Sequence, residues 1–181
     1  MGSTKRWMIG GLAAALLAFP ASAQLAAGAK APDFKTMGAI GGETFRLHLA
    51  EQLEKGPVVL YFFPKAFTSG CTLESKAFAD AMPDFEAAGA TVIGLSSDDI
   101  ETLSRFSTEV CRSKVPMAHA SGELLEAYDV ELAGVSALRP TANRTSYVIS
   151  ADGTVAMVHS KMDYKEHVAK TLEAVRRMAR G

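Results

Sequence analysis

The chain has 181 residues, 19 basic and 20 acidic side chains, a formal charge of -1 and 2 cysteines. That length fits a single domain, and the charge lacks the basic excess with which a nucleic-acid binder neutralises phosphates. Two cysteines cannot build a disulfide-dense scaffold or a four-cysteine zinc or iron–sulfur site, but they can form one redox pair.

Residues 1–23 have the organisation of a cleaved signal peptide. Lys5 and Arg6 form a positive start, Trp7 to Phe19 is uncharged and Ala/Leu-rich, and Pro20-Ala21-Ser22-Ala23 adds a helix breaker and an A-x-A cleavage pattern. The competing reading, a retained membrane anchor, needs about 20 strongly apolar residues. Here the apolar core stops at Phe19 and small residues follow as far as Ala29. No cysteine near the cleavage pattern offers a lipid attachment point. Cleavage after Ala23 leaves one domain, residues 24–181, with two fewer basic residues and a charge of -3. The expected destination is the bacterial periplasm or the exterior, oxidising spaces where two thiols either pair or are kept reduced for a purpose.

Residues 24–32 are a small-residue lead-in. Pro57 to Phe63 (PVVLYFF) reads as a strand buried on both faces. Thr72 to Ala88 carries Leu73, Ala77, Phe78, Ala81, Met82 and Phe85 at helical spacing, with Gly89 at the C-cap. Thr91 to Leu95 is a second buried strand. Asp98 with Glu101 three residues on resembles a capping box, opening a helix that runs to Cys111 and ends before Lys114-Val115-Pro116. Gly122 to Tyr128 reads as a short helix. Thr145–Ile149 and Thr154–Val158 flank Ser150-Ala151-Asp152-Gly153, a hairpin pattern. Tyr164 to Arg180 is an amphipathic helix with Val168, Leu172, Val175 and Met178 on one stripe. Two strand–helix units imply parallel central strands, and the hairpin adds antiparallel ones. The fold class is therefore α/β, thioredoxin-like, with a central mixed β-sheet flanked by α-helices.

Cys71 opens the helix after the PVVLYFF strand. Free backbone N–H groups and the helix dipole at that position stabilise an anion, and α/β sheets place their sites beyond the carboxyl ends of their strands. The plainer reading is a small buried hydrophobe, which the Pro64-to-Gly70 turn makes less apt.

Pro64-x-x-x-Thr68-x-x-Cys71 matches the P-x-x-x-T-x-x-C motif of the peroxiredoxins, and FFPKAFTSGCTLES closely resembles the active-site segment of their Q-type, bacterioferritin-comigratory-protein subfamily. Ala31-Pro32-Asp33-Phe34 resembles the family's opening segment and Asn143 to Ile149 its arginine-bearing strand, so the similarity spans residues 28–178 in order. The resemblance implies a thiol-dependent peroxidase in which Cys71 attacks a hydroperoxide and becomes a sulfenic acid. In that scheme Thr68 accepts from the peroxide and donates to the thiolate, and Pro64 shields the sulfur from water. Arg144 supplies positive charge, Glu74 orients Arg144, and the N–H groups of Gly70 and Cys71 complete the anion pocket. Thr68 as a plain N-cap, Arg144 as a solvated strand-edge charge and Glu74 as a first-turn dipole partner remain the simpler roles. Arg139 is the other arginine candidate.

Some Q-type relatives carry a resolving cysteine five residues after the nucleophile; that position here is Lys76. Others place it in the helix after the second strand, where Cys111 lies, 40 residues beyond Cys71. The resemblance thus implies an intramolecular Cys71–Cys111 disulfide, against a buried structural thiol or an intermolecular bond. Because a disulfide needs α-carbons about 4.4–6.8 Å apart, the start of the Cys71 helix, the end of the Cys111 helix, or both would unwind.

Two other readings compete. A thiol–disulfide oxidoreductase on this fold needs C-x-x-C, and Thr68 occupies the first cysteine position. A copper- or metal-handling protein needs clustered ligands. His48, His119, His159 and His167 show no ligand spacing and read as surface or partly buried residues. No metal or cofactor is implied. The expected partners are a hydroperoxide and a thioredoxin-like or other thiol reductant, with no nucleic acid and no stable membrane association. The domain is expected to be a monomer or homodimer.

Overall fold

The PVVLYFF run becomes the centre of the sheet. A computed structural model describes residues 25–134 and 140–180, so the leader assigned to residues 1–23 and the candidate Arg139 lie outside the described residues. In chain order the elements are β1 (Lys35–Ile40), β2 (Glu43–His48), α1 (Leu49–Leu53), β3 (Val58–Phe62), α2 (Ser69–Ala87), β4 (Thr91–Ser96), α3 (Ile100–Glu109) and β5 (Met117–His119). There follow α4 (Gly122–Ala127), β6 (Thr145–Ile149), β7 (Val155–Ser160), a 3-10 turn (Tyr164–Glu166) and α5 (His167–Met178). No helix among the described residues is long and apolar enough to cross a membrane.

The sheet order is β2-β1-β5-β4-β3-β6-β7. Strands β3, β4 and β5 run parallel, and every other pairing is antiparallel. Every residue of β3 is buried, as expected of a strand covered on both faces. Its side chains alternate between two cores. Val59 and Tyr61 join Phe78, Phe85, Leu103, Phe106 and Val175 beneath α2, α3 and α5. Val58, Leu60 and Phe62 join Leu49, Leu125, Tyr128 and Tyr147 beneath α1 and α4. The result is three layers, helix–sheet–helix.

Several boundaries differ from the sequence reading. The α3 cap is Asp99, whose carboxylate accepts from Thr102 N–H at 2.7 Å; Asp98 is drawn elsewhere. That helix ends at Glu109, so Cys111 lies in a turn where Arg112 and Ser113 both adopt positive φ (54° and 56°). The C-terminal helix starts at His167, preceded by the 3-10 turn. The β1–β2 hairpin and β5 are additional. Gly41 and Gly42, at φ +60° and +89°, make the two-residue hairpin turn, and this Gly-Gly pair was the available sign of it.

Candidate active site

The site begins where β3 ends. A loop leads from Phe63 to α2, held at its middle by Ala66 N–H, which donates to Asp98 Oδ2 at 2.7 Å; Ser96 Oγ donates to the same oxygen at 2.7 Å. Asp98 thus braces the loop from the end of β4 instead of capping α3. Phe67 adopts φ +63°, a conformation rare for a bulky side chain. Its ring meets Phe106 edge-on at 5.1 Å beneath the Arg105 guanidinium, 5.3 Å from its centroid. Pro64 is half-buried at the loop's start. Thr68 takes the extended backbone of an N-cap residue, yet its hydroxyl makes no cap bond and donates to Lys65 O at 2.9 Å. With its hydrogen so placed, the hydroxyl keeps lone pairs to accept from a peroxide, and the expected donation to the Cys71 sulfur is not made.

Cys71 is fully buried in the first turn of α2. That helix makes its first backbone bond from Thr72 N to Thr68 O (2.8 Å), so the amides of Gly70 and Cys71 have no acceptor within the helix. The β3–β6 register, Phe62 opposite Thr145, brings Arg144 to the same sheet end as the loop. Arg144 is 5% exposed, so it is not a solvated strand-edge charge. Its Nη2 lies 3.4 Å from Cys71 Sγ, its Nη1 pairs with Glu74 Oε2, and its Nε donates to Met162 O at 2.9 Å. A Cβ on Gly70 would stand 3.3 Å from Arg144 Nη2, so glycine here lets the guanidinium reach the sulfur.

Glu74 is completely buried, one turn along α2 from the loop. Its carboxyl is pushed up to about 7 by burial, against the pull of Arg144. Behind it stands His167, also completely buried, its Nδ1 3.6 Å from Glu74 Oε1 and 2.8 Å from Ser146 Oγ. Its Nε2 lies 2.9 Å from Lys161 O. Burial pushes this imidazole down to about 4. The ring of His159, 9% exposed, meets it edge-on at 4.6 Å. The expectation that His159 and His167 are surface or partly buried is therefore corrected. Both go inside because β7 and the turn after it fold back over β6. Among the described residues no three metal-binding side chains cluster.

Cys111 is also completely buried, in the same core as Cys71. Its sulfur sits beside Ser75, whose Oγ receives the Tyr61 hydroxyl at 3.1 Å. Ser75 follows Cys71 by four residues on α2, so Cys111 rests against the helix one turn from Cys71. Burial pushes the Cys111 thiol up to about 12. Both cysteines are free.

A thioredoxin-like sheet whose site holds a lone thiol at a helix N-terminus, with threonine where a second cysteine would make C-x-x-C and a buried arginine on the sulfur, defines a thiol peroxidase. Residues 27–158 match the AhpC/TSA family model, and the chain belongs to that family. It is 30% identical to Peroxiredoxin Bcp of Bacillus subtilis over 161 residues, covering 84% of this chain and 96% of that protein. Over 112 residues it is 30% identical to Peroxiredoxin Bcp of Escherichia coli, 61% of this chain and 72% of that one. The fold matches Peroxidoxin BcpB of Mycobacterium tuberculosis with a TM-score of 0.76 at 29% identity, covering 84% and 97% of the two chains. It matches Xanthomonas campestris Peroxiredoxin Q at 0.66 and 26% identity, covering 79% and 90%. Within the family the chain is of the Bcp, or peroxiredoxin Q, kind, an oxidoreductase that reduces peroxide at the expense of thiols.

Proposed function

We propose that the protein reduces hydrogen peroxide and organic hydroperoxides at Cys71 and closes each turnover with a Cys71–Cys111 disulfide. The observation that carries the first half is Arg144 Nη2 at 3.4 Å from Cys71 Sγ inside a buried site. A guanidinium there stabilises the thiolate and the oxyanion that develops as the O–O bond breaks. The Cys71 thiolate takes the terminal peroxide oxygen and, with one proton, yields a sulfenic acid and an alcohol or water. The free amides of Gly70 and Cys71 and the Thr68 hydroxyl hold the peroxide oxygens.

The second half is supported by the seat of Cys111 one helical turn from Cys71. Its thiol displaces water from the sulfenic acid, forming the disulfide, and an external dithiol then reduces both sulfurs. Burial keeps Cys111 protonated and unreactive until its turn opens. The leader pattern in residues 1–23 supports a periplasmic or secreted location for the mature domain. Recovery of the mature chain from the periplasm with Gln24 as first residue is the expected result.

The test is thiol-dependent peroxide consumption by wild type, Cys71→Ser and Cys111→Ser. Cys71→Ser is expected to be inactive, and full activity in that variant overturns the assignment. Cys111→Ser is expected to consume a single equivalent of peroxide and accumulate sulfenic acid. A wild-type protein that, once oxidised, yields only sulfinic Cys71 and a free Cys111 overturns the resolving role.

A further inference from the structure

Glu74 Oε1 has no hydrogen-bond partner although it is completely buried. What it faces is informative. His167 Nδ1 lies 3.6 Å away, and the opposite ring nitrogen, Nε2, lies 2.9 Å from Lys161 O. A carbonyl only accepts, so Nε2 carries a hydrogen and Nδ1 of the neutral ring offers a lone pair. Ser146 Oγ, 2.8 Å from Nδ1, donates to that lone pair, or accepts from Nδ1 when the ring nitrogen holds a proton. A carboxylate oxygen would then face an acceptor nitrogen with no donor between them, inside a site without water's dielectric.

We propose that the Glu74–His167 pair holds one proton, on the carboxyl side at neutral pH because His167 aims no donor at Glu74 Oε1, and that His167 is a positioning residue which in this way keeps Glu74 neutral while Cys71 is a thiolate. This deepens the peroxidase reading of Cys71 and rests on it. With thiolate, guanidinium and carboxylate all charged, the buried cluster of Cys71, Arg144 and Glu74 carries a net negative charge. The shared proton returns it to zero and leaves Arg144 undivided for the sulfur. When the thiolate becomes a sulfenic acid, the cluster is left one charge too positive, and the Glu74–His167 proton departs to restore a Glu74–Arg144 ion pair. One proton leaves the pair as one is taken up by the alkoxide, so charge balances in the oxidation step. The other groups facing the pair are Tyr61 from β3, His159 from β7 and Asp163 beside the 3-10 turn. Burial raises Glu74 and lowers His167, which favours the proton on the carboxyl side at neutral pH.

The experiment is the rate of Cys71 alkylation by iodoacetamide against pH, in a Cys111→Ser background where Cys71 is the sole thiol. Glu74→Gln, which imitates the protonated carboxyl, is expected to leave the midpoint within about 0.3 pH unit of the parent. A midpoint lowered by a full unit or more means Glu74 was charged beside the thiolate, and overturns the proposal. His167→Asn places an amide donor on Oε1 and fixes Glu74 as carboxylate. The midpoint is expected to rise by roughly one unit, a ten-fold loss of rate below it. Adding Glu74→Gln to His167→Asn is expected to return the midpoint to the parent value, a rescue that a purely structural histidine would not show. An unrescued double variant overturns the proposal. No peroxide enters this measurement, so its failure is separable from that of the peroxidase reading, which falls if Cys71→Ser retains activity.

Discussion

Arg144 is shared between two acids, the Cys71 thiol and the Glu74 carboxyl, and the groups behind Glu74 govern that division. The same groups make stability depend on pH. His167 is lowered from 6.5 to about 4, so the unfolded chain binds the extra proton between those values. Stability from this group is present above pH 6.5 and is lost as pH falls toward 4. Glu74 is raised from 4.5 to about 7, so stability from it is lost as pH rises through that interval. The two slopes oppose each other in the wild type. Glu74→Gln removes one of them, and its unfolding free energy, measured by urea titration, is expected to rise steadily from pH 4.5 to 6.5 by on the order of 3 kcal/mol relative to wild type, at about 1.4 kcal/mol per unit. Parallel wild-type and variant curves would show that the two groups are not opposed. At this scale Cys71, Thr68, Glu74 and Arg144 were legible because a short motif and one strand carry them. His167 was not: it meets Glu74 only because β7 and the following turn lie against β6, and no local spacing announces that.

The loop and the Cys111 turn are where elements set the chemistry. Adjacent acids at 98 and 99 made the α3 cap ambiguous in sequence. Thr102 takes Asp99, while Asp98 is taken by Ser96 and Ala66 across to the active-site loop. Asp98→Ala leaves the buried Ala66 N–H without its acceptor, at a cost of about 1–3 kcal/mol. The loop carrying Pro64 and Thr68 then shifts, and the second-order rate with peroxide is expected to fall roughly ten- to a hundred-fold. An unchanged rate would remove Asp98 from the positioning of the site. At the other end of α3, Arg112 and Ser113 hold left-handed backbone that costs a non-glycine residue about 1–2 kcal/mol. Helical periodicity carried the sequence reading through to Cys111, because nothing in Cys-Arg-Ser marks such a turn. Opening it releases the strain together with the thiol. Ser113→Gly is expected to stabilise the closed turn by less than about 1 kcal/mol and slow disulfide formation up to about five-fold. Rapid-quench alkylation measures this, and a faster disulfide step would show that the strain does not assist opening.

Across the whole molecule, the sheet separates two cores, and both cysteines belong to one of them. The central strands, their parallel pairing and the β6–β7 hairpin could be read from continuous apolar runs and turn residues. The β2-β1-β5 half could not, since β5 has three residues and β1 is interrupted by Gly38, against which Phe45 packs. This division limits what oxidation can disturb. To bring the Cys71 and Cys111 α-carbons within about 4.4–6.8 Å, the first turn of α2 and the Arg112–Ser113 turn must give way, and both lie on the α2–α3–α5 side. The opposite core, built on Leu60, Phe62, Tyr128 and Tyr147, includes no residue of either turn. Hydrogen exchange of the oxidised protein is therefore expected to accelerate at residues 66–74 and 109–114 while β3, β6 and α4 keep their protection. Lost protection in α4 or β1–β2 would mean that the disulfide rearranges both layers. Unchanged exchange at both turns in a protein shown to hold the disulfide would mean that the thiols pair without unwinding, and that the seat of Cys111 against Ser75 already lies within bonding reach.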